Sequence, residues 1–375
     1  MPPAKQIFIG LMSGTSLDGI DAVIVEFTSQ YDFKLLASDF TPYPEQLRQE
    51  INAEAQNNLY LLANEDSKLH DSLASVYADA CERIIKKSGL EKACITGIAN
   101  HGQTVKHEPL AKPAYSLQLG NGQLIADLTN LDVFSQFRQA DLAVGGQGAP
   151  LMPAFHAAWL QTELSNQTDV FVLNVGGIAN ITQLGEPTIG FDTGPGNVLM
   201  DQWVEENLGH RYDKNGDWAR TGKANKELLN ALLSDPYFQL RKPKSTGTDY
   251  FNLNFLYKQK PHLDSLKAAD IQATLLQLTV ESIAQQIEEN ASSGSLFVCG
   301  GGAQNQALMS QLKARLNKFR VNKTDALGVP SDWVEAVGFA WLGYCCNNKI
   351  MSNMPSVTGA SKEVVLGELF NPTMS

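Results

Sequence analysis

The sequence predicts a soluble α/β protein of more than one domain, and three observations lead there. Strand-like and helix-like segments alternate along the chain, the pattern of α/β architectures. The 375 residues exceed what one core usually serves. A strand-turn-strand at Val170–Thr182 echoes, in plan though not in letters, the one that opens the chain.

The opening hairpin is Ile7–Phe27, IFIGLMSGTSLDGIDAVIVEF. An apolar run from Ile7 to Leu11 enters a turn of small residues, Ser13-Gly14-Thr15-Ser16-Leu17-Asp18-Gly19. A β-branched run from Ile20 to Val25 leaves it. Gly14 and Gly19 are expected to take positive φ and let a ligand come close. Backbone N–H groups and the hydroxyls of Thr15 and Ser16 suit phosphate oxygens, and the Asp18 carboxylate suits the Mg²⁺ that travels with them. The same residue types also build ordinary hairpin turns.

After a strand near Lys34–Phe40, a helix is expected at Glu45–Ala55. A longer one at Asp66–Lys87 rests on Leu69, Leu73, Val76, Tyr77, Ala80 and Ile84 at helical spacing, with Gly89 as stop signal. Ile95–Ala99 reads as a short buried strand running into Asn100-His101-Gly102-Gln103-Thr104. A strand at Ser116–Leu119, a helix from Gln123 and a strand at Val133–Phe137 follow, the last ending at Arg138. The loop Gly145-Gly146-Gln147-Gly148-Ala149-Pro150 is the expected crossover. It gives an N-terminal lobe of residues 1–140 plus 346–375 and a C-terminal lobe of residues 141–345.

In the second part, Val170–Val175 leads through Gly176-Gly177-Ile178-Ala179-Asn180 to Ile181-Thr182. Ile189-Gly190-Phe191 is a strand stub ahead of Asp192-Thr193-Gly194-Pro195-Gly196-Asn197, with Asn197 the expected N-cap of a helix closed by Gly209. A helix at Asp270–Asn290, a strand at Leu296–Cys299, the turn Gly300-Gly301-Gly302-Ala303-Gln304-Asn305, a helix through Leu308, Leu312 and Leu316, and a closing helix at Val334–Tyr344 complete the chain.

Composition narrows the function classes. The net charge, 29 − 40 = −11, argues against a nucleic-acid partner. Five cysteines without a CxxC pattern argue against a zinc site or a disulfide framework and fit a reducing compartment. No apolar run nears the roughly 20 residues of a membrane span, and no signal segment is read at the N-terminus. A cytoplasmic protein, away from the membrane, is expected.

Glycine-rich turns at Gly14, Gly176, Gly194 and Gly300 each follow a strand, and ligands of α/β sheets bind at strand ends. None is a P-loop or a Rossmann fingerprint. Asp192 is the candidate for proton transfer, because it ends a short strand ahead of a helix start, among glycines that leave room for a substrate. An aspartate capping its own turn reads the same way locally. His101 suits hydrogen bonding to a polar ligand or to backbone, and Arg138 suits a carboxylate ligand or a structural salt bridge. Lys244-Ser245-Thr246-Gly247 reads as a solvated loop rather than a basic lid. Asp213–Asp217 starts like a calcium loop, but Trp218 stands where glycine is needed.

These stretches together resemble the 1,6-anhydro-N-acetylmuramic acid kinase family. The matching segments are GLMSGTSLDGIDA from Gly10, NHGQTVKHEP from Asn100, GGQGAPLMPAFH from Gly145, NVGGIANIT from Asn174, GFDTGPGNVLMDQW from Gly190, DPYFQLRKPKSTG from Asp235, VCGGGAQNQ from Val298 and PSVTGAS from Pro355. They span nearly the whole chain in family order.

The resemblance implies the sugar-kinase, hexokinase and actin-like ATPase fold, two similar α/β lobes with ATP in the cleft and closure around both substrates. It implies that Gly14, Thr15, Ser16, Leu17, Asp18, Gly19, Ile20 and Asp21 hold the ATP phosphates, with Asp18 toward Mg²⁺. Gly176, Gly177, Asn180, Gly300, Gly301, Gly302 and Asn305 would serve the nucleotide. Asp192 matches the family's catalytic base, and His101, Gln103 and Arg138 fall in stretches that would face the sugar. Two segments depart from the family's pattern. Gln136-Phe137-Arg138-Gln139-Ala140-Asp141 stands where relatives have Asp-Phe-Arg-Arg-Arg-Asp, and Thr248-Asp249 stands where they have Arg-Glu.

The expected activity is therefore ATP-dependent opening and phosphorylation of the anhydro sugar to N-acetylmuramic acid 6-phosphate, in cell-wall recycling, by an enzyme expected to form a homodimer. A plain sugar kinase acting on a free hydroxyl and a non-enzymatic actin-like ATP-binding protein are the alternatives. Oxygen from labelled water in the product separates the first from the second, and absence of sugar-stimulated ATP turnover would favour the third.

Overall fold

The structure is a computed structural model that describes residues 5–14, 17–56, 68–161, 169–242, 244–259 and 263–373. Thr15 and Ser16, both assigned above to phosphate binding, lie outside the described residues. The chain divides into two compact units, Met1–Gln161 with Trp333–Ser375 and Thr162–Asp332.

The first unit is built on strands β1 (Gln6–Ser13), β2 (Gly19–Ser29), β3 (Asp32–Pro42), β4 (Gly97–Glu108), β5 (Tyr115–Leu119) and β6 (Val133–Ser135). The path across the sheet is β3-β2-β1-β4-β6, finished by a short C-terminal strand at Glu368–Phe370, with β5 paired to β4. The first three strands are antiparallel, and β4 and β6 run parallel to β1. β1 is apolar on both faces because both are covered. Ile9 and Leu11 join the core beneath the helix Lys68–Ser88, with Leu73 and Tyr77. Phe8, on the other face, lies 6.2 Å from Tyr344 of the helix Val334–Asn347. Backbones meet there: a Cβ on Gly10 would strike the Ala336 carbonyl.

The second unit repeats the plan. Its strands are β7 (Val170–Val175), β8 (Ile178–Leu184), β9 (Ile189–Pro195), β10 (Gly294–Cys299) and β11 (Phe319–Lys323), in the order β9-β8-β7-β10-β11. Again the first three are antiparallel and the last two run parallel to the first. Phe171, Leu173 and Val298 of this sheet share a core with Leu275, Leu278 and Ile283 of the helix Ala268–Glu288. The echo between the two hairpins is thus a whole repeated sheet order.

The unit limits differ from the expected lobes of 1–140 plus 346–375 and 141–345. The helix Met152–Trp159, beyond the Gly145 loop, packs on Val334–Asn347, with the Phe155 and Trp341 rings 6.0 Å apart. A Cβ on Gly338 would strike Met152. That packing draws both helices into the first unit. Among the described residues no helix is long and apolar enough to cross a membrane.

Strand limits near the candidate residues differ from those expected. β4 runs from Gly97 to Glu108, so His101 and Gln103 sit within a strand. β9 runs to Pro195 and carries Asp192 in its middle. β6 ends at Ser135, and Gln136 turns the chain with φ +59°.

Candidate active site

In the second unit, Asp192 stands on β9 opposite Asn180 of β8. Its backbone N–H donates to the Lys244 carbonyl at 2.9 Å, and its carbonyl accepts the Tyr237 hydroxyl at 2.8 Å. Its carboxylate Oδ2 accepts from the Thr246 backbone N–H at 2.9 Å. Burial pushes the Asp192 carboxyl up to about 6, against the Thr246 hydrogen bond, which favours the charged form. A carboxylate desolvated this way is a stronger base than one in water and still ionises near neutral pH.

The segment around Lys244 is not the solvated loop the sequence suggested. Lys244 is buried, with Nζ donating to the Tyr237 carbonyl at 3.2 Å and lying 4.6 Å over the Tyr237 ring. The signal was present in sequence, since a lysine beside an aromatic pair has a ring and carbonyls to bury against, but nothing local says that it folds back.

The glycine turns of this unit gather at the ends of β7 and β10. The β7–β8 turn, Gly176-Gly177, accepts at its carbonyls the N–H groups that open the next helix: Asn197 N–H to Gly176 at 2.8 Å and Val198 N–H to Gly177 at 3.1 Å. Asn197 sits at the head of the helix Val198–Leu208 without capping it by side chain. Its Nδ2 reaches the Val175 carbonyl at 3.2 Å instead. Gly300 takes φ +78°, and a Cβ there would strike Asn174 Oδ1. Gly302 packs as closely on Val175, while at Gly301 the nearest atom to such a Cβ is Asn197 Nδ2, 4.0 Å away. Asn305 caps the helix Gln306–Arg315, accepting from the Ala307 and Leu308 N–H groups at 3.1 Å. Asp213, at the rejected calcium loop, spends both carboxylate oxygens on the Trp218 and Ala219 N–H groups.

In the first unit, the turn after β1 is held from behind. Gln103 Nε2 donates to the Gly14 carbonyl at 3.1 Å and its Oε1 accepts the Tyr43 hydroxyl at 3.2 Å. Ser13 Oγ bonds the Tyr77 hydroxyl and donates to the Gly102 carbonyl at 3.1 Å. Gln103 is fully buried, and its amide braces the turn. Leu17 carries positive φ in this turn, +57°. Gly19 does not take positive φ; it is needed because a side chain would strike the Thr41 carbonyl on β3. Asp18 is exposed, Ile20 is fully buried in the core, and Asp21 is half-buried opposite Met12.

His101 and Arg138 meet in the same unit. Arg138 Nη2 donates to His101 Nε2 at 2.9 Å and Nη1 to the Gly148 carbonyl at 2.7 Å. Because the guanidinium can only donate, the imidazole is neutral with its proton on Nδ1. Burial and the Arg138 charge hold His101 well below the usual histidine range. Burial also lowers Arg138, to about 10. Arg138 Nε is buried without a hydrogen-bond partner. The Phe339 ring lies 4.4 Å from the imidazole.

Beside them Asp141, fully buried, was not singled out by sequence. It accepts from the Gly148 N–H, from Asn353 Nδ2 and from Thr358 Oγ1, each at 2.8 Å. This carboxylate ties the Gly145 loop to the Pro355 segment, two stretches some 200 residues apart in sequence.

One sheet plan used twice, each copy with a glycine turn closing its first hairpin and the second with a desolvated carboxylate on its third strand, defines an α/β protein of two like units, the actin-like and hexokinase-like fold class. The chain matches the sequence profile of the anhydro-N-acetylmuramic acid kinase family over residues 6–372. It is 44% identical over 369 residues to the anhydro-N-acetylmuramic acid kinase of Shewanella denitrificans, covering 96% of this chain and 97% of the relative. It is 43% identical over 374 residues to that of Pasteurella multocida, covering 99% and 98%. The chain belongs to the anhydro-N-acetylmuramic acid kinase family. Among solved structures it is similar to component A of (R)-2-hydroxyglutaryl-CoA dehydratase from Acidaminococcus fermentans, at TM-score 0.46 and 9% identity over 90% of this chain and 96% of the other. A ROK hexokinase from Thermus thermophilus gives 0.34 and 15% over 90% and 97%. Likenesses that slight carry no argument about function.

Proposed function

We propose that this protein uses ATP to open 1,6-anhydro-N-acetylmuramic acid with water and phosphorylate it, giving N-acetylmuramic acid 6-phosphate and ADP in cell-wall recycling. Membership of the family supports the substrate and the reaction. The observation that carries the chemistry is Asp192, a buried carboxylate with a raised pKa, held at both its main-chain groups.

Asp192 takes one proton from water while the water oxygen bonds to the anomeric carbon. The bond from that carbon to the bridging oxygen breaks, and this oxygen attacks the γ-phosphorus of ATP, releasing ADP. The second water proton stays on the new anomeric hydroxyl. A positioned base of this kind contributes about 10²–10⁴-fold to rate, and the rest rests on orientation and charge stabilisation.

The turn from Gly14 to Asp21 and the turns at Gly176 and Gly300 are the proposed nucleotide contacts, through their N–H groups. Asn180 sits on the strand between the Gly176 turn and Asp192, and Asn305 acts there by capping the helix after the Gly300 turn. Mg²⁺ fits the donor set in one way. Asp18 is an exposed carboxylate beside the phosphate turn, while no group of three or more His, Cys, Asp or Glu is placed to hold a metal among the described residues. A hard cation held by one carboxylate, phosphate oxygens and water matches how Mg²⁺ is usually bound, and it would neutralise phosphate charge. His101 and Arg138 are the proposed sugar contacts, since they are joined by a hydrogen bond and Arg138 keeps a buried donor unpaired. Gln103 acts behind the turn. The five cysteines are all free thiols, which suits a cytoplasmic enzyme. A homodimer is the assembly proposed with it, to be checked by sedimentation.

The test is a reaction in ¹⁸O-water with Mg-ATP and the anhydro sugar, read by mass spectrometry. One heavy oxygen at the anomeric carbon of a phosphorylated product is the expected result. Unlabelled phosphorylated product would replace the reading with plain hydroxyl phosphorylation, and no sugar-dependent ADP would overturn it. Asp192→Asn is expected to keep ATP binding and lose turnover by at least about 10²-fold; near-normal turnover would remove Asp192 from its role.

A further inference from the structure

We infer that Tyr237 and Lys244 are positioning residues that set the Asp192 carboxylate in place through the backbone of the described residues 237–242 and 244–246, an inference that rests on the role proposed for Asp192. Three contacts tie Asp192 to this stretch. The Tyr237 hydroxyl holds its carbonyl at 2.8 Å, the Lys244 carbonyl holds its N–H at 2.9 Å, and the Thr246 N–H holds Oδ2 at 2.9 Å. The two ends of the stretch are fastened to each other. Lys244 Nζ donates to the carbonyls of Tyr237 at 3.2 Å and Phe238 at 3.5 Å, and it lies over the Tyr237 ring.

Tyr237 is itself set by a buried aromatic group, with Phe251 edge-on at 5.2 Å. Its backbone N–H donates to Asp235 Oδ1 at 2.9 Å. The result is a closed ring: Asp192 to Tyr237, Tyr237 to Lys244, Lys244 to Thr246 and back to Asp192. Both side chains hydrogen-bond main-chain carbonyls rather than the carboxylate, so neither is a catalytic residue. Their effect on it runs through where they place the Thr246 N–H, the hydrogen bond that favours the charged form.

Among the described residues, the charged and titratable groups around β9 are these. From the 237–246 stretch come Tyr237, Lys244 and Lys242, the last over the Phe191 ring and paired with Glu289 beyond the helix Ala268–Glu288. That helix presents Ser282 near Gly194 and donates the Thr279 hydroxyl to the Gly196 carbonyl. β8 presents Asn180. If the ring loosens, the Thr246 bond lengthens, the charged carboxylate loses support, and the base needs a higher pH to ionise.

The experiment uses the full chain as Tyr237→Phe and Lys244→Met, with Asp192→Asn as reference, assayed with ATP and 1,6-anhydro-N-acetylmuramic acid from pH 5 to pH 9. Both variants keep the bulk of the side chain, and thermal melts confirm folding. We expect kcat to fall about tenfold with KM for ATP within about twofold. The acid limb of kcat/KM should move up by about half a pH unit. Lower kcat with the acid limb unmoved would make both residues merely structural and overturn the inference. Unchanged kcat and acid limb in both variants, with Asp192→Asn inactive, would overturn it while leaving the role of Asp192 intact. An active Asp192→Asn would overturn both.

Discussion

Asp192→Asn should make the protein less active and, above pH 6, more stable relative to the parent than it is in acid. The folded carboxyl titrates at about 6 and the unfolded one at 3.8. The folded pKa is the higher, so the folded state binds more protons between these values and loses stability as pH rises through them. Above both, ionising the buried group costs 6 − 3.8 = 2.2 pH units of free energy, about 3 kcal/mol. At pH 4.5 the same calculation leaves about 1 kcal/mol. Asparagine does not ionise, and its side-chain oxygen can keep the Thr246 N–H. Any penalty for its unpaired amide, about 1–3 kcal/mol, is independent of pH. The difference between variant and parent therefore widens by about 2 kcal/mol from pH 4.5 to pH 8, whatever its offset. In a unit of 332 − 162 + 1 = 171 residues, that is roughly 4–8 °C in Tm. Calorimetry of both proteins at the two pH values measures it. Parallel melting curves across that range would show that Asp192 is not desolvated, and the argument for its basicity would fail with it.

The first unit should respond to acid in the opposite sense. His101, His107 and His156 are all held below the usual histidine value by burial, His107 at about 4 and His156 at about 3. Depressed folded pKa values mean stability is lost as pH falls from about 6.5. The loss is about 2 kcal/mol for His156 at pH 5 and less for the partly exposed His107, with His101 contributing in the same direction. Hydrogen exchange at pH 5 and pH 7.5, resolved by unit, should show the first unit's protection falling more; equal change in both would refute this. Asp141→Ala leaves the Gly148 N–H, Asn353 and Thr358 without their shared acceptor. It should cost about 3 kcal/mol or more, read as a lower urea midpoint at unchanged m; a midpoint within error of the parent would refute the clamp. Tyr77→Phe removes the hydroxyl shared with Ser13 and Tyr43 behind the Gly14 turn. KM for ATP should rise several-fold with kcat nearly unchanged, at about 1 kcal/mol of stability. An unchanged KM would separate that network from nucleotide binding.

Much of this was legible in the sequence, because it is local. The opening hairpin, the helix Lys68–Ser88 and the helix Ala268–Glu288 follow from apolar spacing, and the family follows from the order of its short motifs. The chain also pointed to Asp192, by its place among glycines at a strand end. What sequence spacing could not supply is which partner each polar group finds across the fold. Gln103 braces the Gly14 carbonyl, a partner 89 positions earlier in the chain. Asn197 looked like a cap and reaches Val175 instead. Lys244 looked solvated and is buried over Tyr237, because a carbonyl pair and an aromatic face from earlier in the chain converge on it. Asp141 drew no notice, since its partners at Asn353 and Thr358 come more than 200 residues later. Local spacing was enough for most strands and helices and for the family, though not for the limits of β4, β6 and β9. The tertiary structure decided which carboxylates are desolvated and which donors are spent, because both depend on contacts between segments far apart in the chain.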